Sequence, residues 1–547
     1  MSVVTPTILS SGQPIDAAFD LLSMEIVKEV NRIPLAQLTF SDGSVAQQTF
    51  SVSNSEVFEP GKEIEIKLRY ERNPDNETTV FKGVVVKQRV RASAQGSRFT
   101  VLVKDKAVKL TLERRNVIYR EKTDHAIVKE IAESKGLGIG TIDTSESEHL
   151  ELVQYDATDW DFMLSRAELN GLLLNANDGQ LSLVKPTLDG DALYTFEYGI
   201  DDIYDFEIET DAGHQYPEVQ SVAWDMKEQT LTKATIAQAF PLTQGNLDGG
   251  KTASAIGAEP VTFIHPVSLE QSELQAWSDG LMVYNRLAMI RGYLRVLGIE
   301  AIKPLDLIEV AGIGDRFNGK TIATGIRHQL NTNGWETAIQ FGLSPQRFTE
   351  RRDLASPPAS GHLPPIHGLH IGVIAPFEED PNKELRVKVI LPGMNAEGEA
   401  IWARLATLDA GKDRGILFRP ESGDEVVVGF FNNDPRQAVI LGSMFSNTNN
   451  SPETLEAPSV ENVNKGIVSK SGTKIQWVDN EKASIFIETP ESNKVLLDDD
   501  NQTIEITDQH GNMITLSQNG IEIKSASDIR IEASGDVKIK GSTVDVS

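Results

Sequence analysis

Residues 485–547 read IFIETPESNKVLLDDDNQTIEITDQHGNMITLSQNGIEIKSASDIRIEASGDVKIKGSTVDVS, and apolar β-forming residues recur there in pairs two positions apart. Successive pairs follow at steps of 10, 9, 10, 7, 8, 8 and 7 residues, and turn-forming Gly, Asn, Asp and Ser fill the intervals. Each pair marks a short strand with one apolar face. The pairs are Ile485/Ile487, Val495/Leu497, Ile504/Ile506, Ile514/Leu516, Ile521/Ile523, Ile529/Ile531, Val537/Ile539 and Val544/Val546.

Strands this short bury only two or three side chains each, so the repeats must build a core by stacking. We predict a β-solenoid whose apolar residues point to a central axis, and Ile506, Ile523, Ile531, Val537 and Ile539 are axis residues. Three chains wound around one axis would close this interior and remove the exposed strand edges. The alternative is an ordinary antiparallel meander, because hairpins space their strands in the same way.

The composition is that of an acidic, β-rich protein. The formal net charge of −28 disfavours sequence-independent binding to nucleic acid. The chain has no cysteine, so neither a disulfide framework nor a thiolate metal site is expected. The first basic residue is Lys28, so the N-terminus lacks the charged region of a secretory signal peptide. We therefore expect synthesis in the cytoplasm without a signal peptide.

Hydrophobic periodicity predicts a mainly β chain of seven segments. Two segments of alternating residues predict two β-barrels of similar size. Helical periodicity after Asp124, which is expected to cap a helix, predicts an α/β insertion between them. Ser268 and Gln271 predict a capping box at the start of a long helix in the second barrel. The segments are 1–110 (barrel 1), 111–200 (α/β insertion), 201–346 (barrel 2), 347–365 (linker), 366–445 (OB-fold), 446–466 (linker) and 467–547 (needle).

Patterns that resemble chemical sites have simpler explanations here. Residues 245–252, GNLDGGKT, match the phosphate-loop pattern, but Asp248 would place a negative charge in the cradle. His362, His367 and His370 lie at a proline-rich junction without the partners that a metal site needs. The OB-sized segment is acidic and poor in aromatic residues, which argues against single-strand nucleic-acid binding. We predict no catalytic residue, no cofactor and no metal site.

Two sets of residues carry a family resemblance. The first lies in the OB-sized segment and comprises Trp402–Arg404, Pro420–Phe430, Asp434-Pro435 and Val439–Ser443. The second comprises Gln154–Phe162 and Arg166–Gly171. They resemble, respectively, the OB-domain and hub signatures of VgrG spike proteins, the type VI secretion relatives of contractile phage tail hubs and spikes. The stretch Glu29–Pro34 looks closest to spikes of extracellular contractile injection systems.

The resemblance implies a homotrimer with a hub of tandem barrels, an OB collar and a trimeric β-helix needle. It implies inner tube and baseplate proteins as partners at the hub, and transient contact with a target membrane. It also implies a small conical PAAR-type tip protein. We place that protein at the end of the needle, on Val544, Val546 and Ser547, because open strand edges around an apolar centre favour further pairing.

The function so predicted is that of a non-enzymatic central spike. It would be made in a bacterial cytoplasm and act at the target cell surface as part of an injection particle that is released or secreted. A second hypothesis is a tail enzyme whose β-solenoid degrades cell-surface polysaccharide. Depolymerase solenoids usually have longer coils and a broad lateral cleft, for which steps of seven to ten residues leave no room.

Overall fold

The computed structural model describes residues 3–72, 77–94, 96–351, 354, 357–393, 398–455 and 460–546. Over these residues the chain is mainly β with four α-helices, which confirms the predicted class. It divides into two compact units, Met1–Ser356 and Pro357–Ser547. None of the four helices combines the length and apolar composition that a bilayer crossing requires.

The first half of unit 1 is a set of strands around an aromatic core. The alternation in Glu63–Tyr70 places Ile64, Ile66 and Leu68 on the buried face. They pack in one cluster with Phe40 and Phe58, whose ring centroids lie 5.1 Å apart. The strands are β1 (Val4–Ser10), β2 (Gln13–Pro14), β3 (Leu21–Glu29), β4 (Leu35–Ser41), β5 (Glu63–Tyr70), β6 (Thr78–Ser93) and β7 (Gly96–Lys104).

The predicted α/β insertion follows and has an apolar core of its own, in which Ile127 and Ile131 pack with Phe162 and Met163. Its second helix begins after Thr158, whose hydroxyl accepts a hydrogen bond from the Asp161 amide at 3.1 Å. The elements are β8 (Arg114–Thr123), α1 (Asp124–Ser134), β9 (Gly138–Ile142), β10 (Glu148–Thr158), α2 (Asp159–Leu169), β11 (Leu173–Asn177) and β12 (Gln180–Val184).

The second half of unit 1 returns to strands and contains the long helix. Its core collects Leu294, Ile308, Ile339 and Phe341. The elements are β13 (Tyr194–Glu197), β14 (Ile203–Thr210), β15 (Val219–Asp225), β16 (Thr230–Leu231), β17 (Thr235–Ile236), α3 (Gly249–Ala255), β18 (Val261–His265), α4 (Gln271–Leu287), β19 (Ile290–Leu297), β20 (Leu307–Ala311), β21 (Gly319–Asn331) and β22 (Gly334–Phe341).

Two predicted helix caps are wrong. Asp124 is the first residue of α1, and its buried carboxylate accepts hydrogen bonds from the Arg166 guanidinium at 2.7 Å and the Asn170 amide at 2.8 Å. The Ser268 hydroxyl donates to the Trp224 carbonyl at 3.0 Å, and α4 begins at Gln271 without a side-chain cap. In both cases a tertiary partner outside the helix engages the side chain that local sequence assigned to the cap.

The two halves are joined in one 13-stranded sheet. The strand order is β14-β19-β22-β21-β3-β4-β7-β6-β5-β1-β2, with β20 on β21 and β13 on β20. The junction is the antiparallel pair β21–β3, in register from Gly325 opposite Glu29 to Leu330 opposite Met24. Because β13 pairs with β20, Tyr194–Glu197 belongs with the second half, whereas the sequence placed it in the insertion.

The two halves also repeat one pairing pattern. The series β3-β4-β7-β6-β5 corresponds strand for strand to β14-β19-β22-β21-β20. The irregularities coincide, since Leu22 of β3 and Tyr204 of β14 are each the extra residue of a bulge. Val86 of β6 and Thr324 of β21 are likewise the extra residues of matching bulges. The bulges therefore align the two halves residue by residue.

Unit 2 begins with a closed five-stranded barrel, which confirms the predicted OB-fold. The barrel order is β23-β24-β25-β29-β28. Its core contains Val389, Val426, Val428 and Ile440, none of them measurably exposed. The strands of this region are β23 (His370–Ile374), β24 (Val387–Ile390), β25 (Ala400–Leu405), β26 (Ala410–Gly411), β27 (Arg414–Gly415), β28 (Glu425–Phe430) and β29 (Ala438–Ser443).

A seven-stranded sheet forms the rest of unit 2, and each strand is antiparallel to the next. Within one chain, consecutive strands up to Lys524 are therefore paired as an antiparallel meander, the alternative to the β-solenoid. No strand is assigned in the described residues 525–546. The strands are β30 (Asn464–Val468), β31 (Lys474–Val478), β32 (Ser484–Glu488), β33 (Lys494–Asp498), β34 (Thr503–Thr507), β35 (Met513–Ser517) and β36 (Gly520–Lys524).

Candidate assembly surface on the C-terminal sheet

One face of the C-terminal sheet carries two columns of apolar side chains. Every strand has five residues, and its second and fourth residues lie opposite those of its neighbour. The first column is Ile467, Ile475, Ile487, Val495, Ile506, Ile514 and Ile523. The second column starts at Lys465 and continues with Trp477, Ile485, Leu497, Ile504, Leu516 and Ile521.

Aspartates in the turns hold this register. The Asp498 carboxylate accepts hydrogen bonds from the Asn501 side-chain amide and the Asp500 backbone amide, both at 2.8 Å. Asp508 accepts from the side chain of Asn512 at 2.6 Å and from its backbone amide at 2.8 Å. The asparagine side chains are the largest cause that lowers the pKa of each carboxyl. The run Asp498–Asn501 is therefore a turn that fixes strand pairing.

The apolar face is open in the single chain. Ile506 is 46% exposed and Ile523 is 61% exposed. The other face is better covered, because the Phe486 ring lies between Lys474 and Lys494, whose Nζ atoms are 5.4 and 5.3 Å from its centroid. A contiguous open apolar patch of this kind marks an interaction surface.

The apolar pairs beyond β36 have no partner strand within the described chain. Ile531, Val537 and Ile539 are 70%, 53% and 71% exposed, and Val544 and Val546 are 54% and 89% exposed. Ser547, the third residue predicted to bind a tip protein, lies outside the described residues. The structure thus brings Ile506 and Ile523 into one column, and it leaves the other predicted axis residues without a neighbouring strand. Their role at a shared axis stays a prediction.

Strand β31 extends this surface beyond the apolar pairs that were predicted from the sequence. Ile475 and Trp477 extend the two columns, and Trp477 lies opposite Ile485. Their two-residue spacing is the same signal that identified the later pairs, and Asp479-Asn480 supplies the turn that follows.

The loop that matches the phosphate-binding pattern is a helix cap. Asp248 precedes α3, and its carboxylate accepts a hydrogen bond from the Lys251 amide at 2.7 Å. A carboxylate therefore occupies the position in which a phosphate would meet the helix N-terminus.

His370 Nε2 lies 3.1 Å from the His367 carbonyl. Over the described residues no three His, Asp or Glu side chains are arranged to hold a metal ion.

Three family models match this sequence. The model described as Alg8 N-terminal domain matches residues 1–332. The model described as type VI secretion system/phage-baseplate injector OB domain matches residues 370–445, the segment of the closed barrel. The model described as phage baseplate V C-terminal trimerisation domain matches residues 484–547, which include most of the two apolar columns.

Individual relatives share shorter segments. The type VI secretion system spike protein VgrG3 of Vibrio cholerae is 38% identical over 74 residues, 13% of this chain and 7% of the relative. VgrG1c of Pseudomonas aeruginosa is 32% identical over 77 residues, 14% of this chain and 11% of the relative. The chain thus spans about a tenth of the length of these curated relatives. A tail protein from Neisseria meningitidis aligns with a TM-score of 0.46 at 14% identity, over 63% of this chain and 98% of that protein.

Proposed function

The chain belongs to the Alg8 N-terminal domain family and is a VgrG-like spike protein, and on this premise we propose that three copies form the central spike of a contractile injection machine. The hub would bind the inner tube and baseplate at one end, and the C-terminal sheets would form a needle at the other. The work of such a spike is mechanical: it transmits the thrust of the tube to the target membrane.

The open apolar columns carry this proposal. Covering a half-exposed isoleucine contributes about 1 kcal/mol. More than ten such residues per chain would therefore stabilise a shared core strongly. If the sheets of three chains faced one axis, the apolar columns of all three chains would be covered together. The match of residues 484–547 to a trimerisation domain supports the same arrangement.

The segment after β36 supports an intertwined end to the needle. Its apolar residues keep the two-residue spacing of the strands before it, yet no described strand of the same chain pairs with it. Strands from two other copies would supply the missing hydrogen bonds and cover its apolar side chains. Pulling one chain out of such a rod would require many hydrogen bonds to break together.

The end of the rod would carry the tip protein. Val544 and Val546 from three chains would give a small apolar platform surrounded by strand edges. A conical PAAR-type protein would cover it by apolar contact and by β-augmentation. We place the assembled spike in a particle built in the bacterial cytoplasm and then released or secreted.

Electron microscopy of the purified full-length protein tests this function. We expect particles with one thin rod and end views of three-fold symmetry. Incubation with peptidoglycan and with capsular polysaccharide tests the alternative of a tail enzyme. Reproducible release of soluble sugar by particles without a rod would favour that enzyme over the spike.

A further inference from the structure

One buried amine in unit 1 lies in contact with a side-chain amide. Lys28 on β3 is 5% exposed, and it is the one buried lysine among the described residues. Its Nζ donates hydrogen bonds to Asn177 Oδ1 at 2.7 Å and to the two carboxylate oxygens of Asp178 at 2.9 and 3.0 Å. These acceptors all lie on the turn between β11 and β12, 149 and 150 positions away in the chain.

Hydrogen bonds from two other elements hold this turn against the amine. The Lys82 amide of β6 donates to Asp178 Oδ1 at 2.8 Å, and the Gly179 amide donates to Asp105 Oδ2 at 2.9 Å. Asp178 has a φ of 54° and Gly179 a φ of 84°, the left-handed conformations that a tight hairpin turn requires. The fold therefore fixes the amine and the amide in each other's reach, as an intramolecular reaction needs.

The surroundings favour a neutral amine at Lys28. Its Nζ lies 6.0 Å from the centroid of the Phe81 ring, which is fully buried. Burial lowers the pKa of Lys28 from its ordinary value, against the charge of Asp178, which raises it. A larger fraction of this amine is therefore neutral than of a lysine in water, and only the neutral amine is a nucleophile.

The side-chain amide of Asn177 is open to attack. Because its Oδ1 accepts a hydrogen bond from Nζ, the amine lies next to the carbonyl carbon Cγ. Its Nδ2 makes no hydrogen bond with any residue that the structure describes, so nothing there holds the group that would leave. The Asp178 carboxylate contacts the same Nζ and can carry a proton.

We propose that Lys28 and Asn177 join in an intramolecular isopeptide bond. Nζ attacks Cγ of Asn177, and Asp178 takes one Nζ proton and passes it to Nδ2. The Nζ–Cγ bond forms, the Cγ–Nδ2 bond breaks and one ammonia leaves. The step needs no oxidant, reductant or second substrate. The inference goes beyond the proposed function and does not depend on it.

The product is a neutral amide that ties β3 to the insertion. It removes an ammonium from the interior, where a charge is costly. Asp178 keeps the hydrogen bond from the Lys82 amide, and His328 keeps the burial that lowers its pKa. The bond closes a covalent loop across 149 positions of the chain, and such a loop restricts the unfolded state.

Mass spectrometry of the denatured full-length protein tests the bond. The wild type should be lighter than the mass expected from its sequence by one ammonia. Trypsin does not cleave after a linked lysine, so the digest should contain a branched peptide that joins the N-terminal peptide ending at residue 32 to residues 167–227. The full mass, together with a free N-terminal peptide ending at residue 28, overturns the proposal and leaves the spike assignment standing.

Two variants assign the reacting groups. Lys28→Met removes the amine and should restore the full mass and the linear peptides. An ammonia loss that persists in Lys28→Met arises elsewhere and overturns the bond. Asp178→Asn keeps the shape of the turn but cannot carry the proton, so bond formation should slow by roughly 100-fold. Freshly purified Asp178→Asn should then be largely unlinked, and linkage at the wild-type rate overturns the role of Asp178.

A neighbouring lysine supplies the matched control. The Lys106 side chain lies beside Gly179 of the same turn and pairs with Glu63 at 2.6 Å. Lys106→Met should leave both the ammonia loss and the branched peptide unchanged. Loss of the branched peptide in Lys106→Met as well as in Lys28→Met would overturn Lys28 as the specific nucleophile.

Discussion

Ile506 lies directly opposite Ile514 across the β34–β35 pair, and both side chains are on the open face of the C-terminal sheet. Ile514 in turn lies opposite Ile523, so one column continues to the last strand. A sheet of this regularity normally covers such a face with a second layer. Here the described chain supplies none, and we infer that other copies do.

Ile523→Asp should weaken the trimer. In the proposed needle the change buries up to three unpaired carboxylates in one layer, at a cost of roughly 3 kcal/mol or more per chain. The trimer should lose resistance to SDS and heat. Gln509→Asp, which adds the same charge in an exposed turn, is the control and should behave like the wild type. An Ile523→Asp trimer with unchanged melting temperature would show that Ile523 does not face the axis.

Unit 1 should lose stability as the pH falls because of His328. Burial, reinforced by the charge of Lys28, lowers the pKa of His328 from 6.5 to about 3. The folded state therefore favours the neutral ring, and this contribution is complete above pH 6.5 and declines as the pH falls towards 3.

Urea unfolding at pH 7 and pH 5 measures that contribution. The wild type should lose about 2 kcal/mol more than His328→Gln between these values. Glutamine can still bond the Thr337 hydroxyl, which lies 2.9 Å from His328 Nδ1, but it does not titrate. Equal losses in the two proteins would exclude His328 as the source of the pH dependence.

Substitutions in the loop at residues 245–252 should have the effects expected of a helix cap. Asp248→Ala removes the hydrogen bond to the Lys251 amide and should cost about 1 kcal/mol of unfolding free energy. Lys251→Ala should leave stability and assembly unchanged, because its side chain is exposed. Saturable ATP binding that is lost in Lys251→Ala would instead identify a phosphate site.

Deleting Gly541–Ser547 should abolish binding of the tip protein while the trimer survives. The seven paired strands and the axis residues up to Ile539 remain after this deletion. A pull-down of the truncated trimer with the PAAR-type protein encoded beside it makes the measurement. The full-length trimer is the positive control, and retention of its tip affinity by the truncated form would place the docking surface elsewhere.

Local sequence predicted those elements whose side chains act within their own strand or helix. The alternating residues of Glu63–Tyr70 form a strand with one buried face, and the Thr158 hydroxyl accepts a hydrogen bond at the start of α2. The OB-fold was predictable because its short strands and turns are also local signals. The spacing of Ile504/Ile506 and Ile514/Leu516 predicted the positions of the strands. It did not distinguish a β-solenoid from an antiparallel meander.

Long-range pairing could not be read from the sequence. Lys28 on β3 and Ile326 on β21 are cross-strand neighbours, although they lie almost 300 residues apart in the chain. No local pattern in either strand predicts that pairing. The same limitation misplaced Asp124, whose partner Arg166 lies on another helix.

The native mass of the purified full-length protein, measured by light scattering coupled to size exclusion, tests the central claim most directly. Three chains of 60.0 kDa predict about 180 kDa at concentrations where the columns of the C-terminal sheet are covered. A mass near 60 kDa over the whole concentration range would leave those columns open to water and would contradict the trimeric spike.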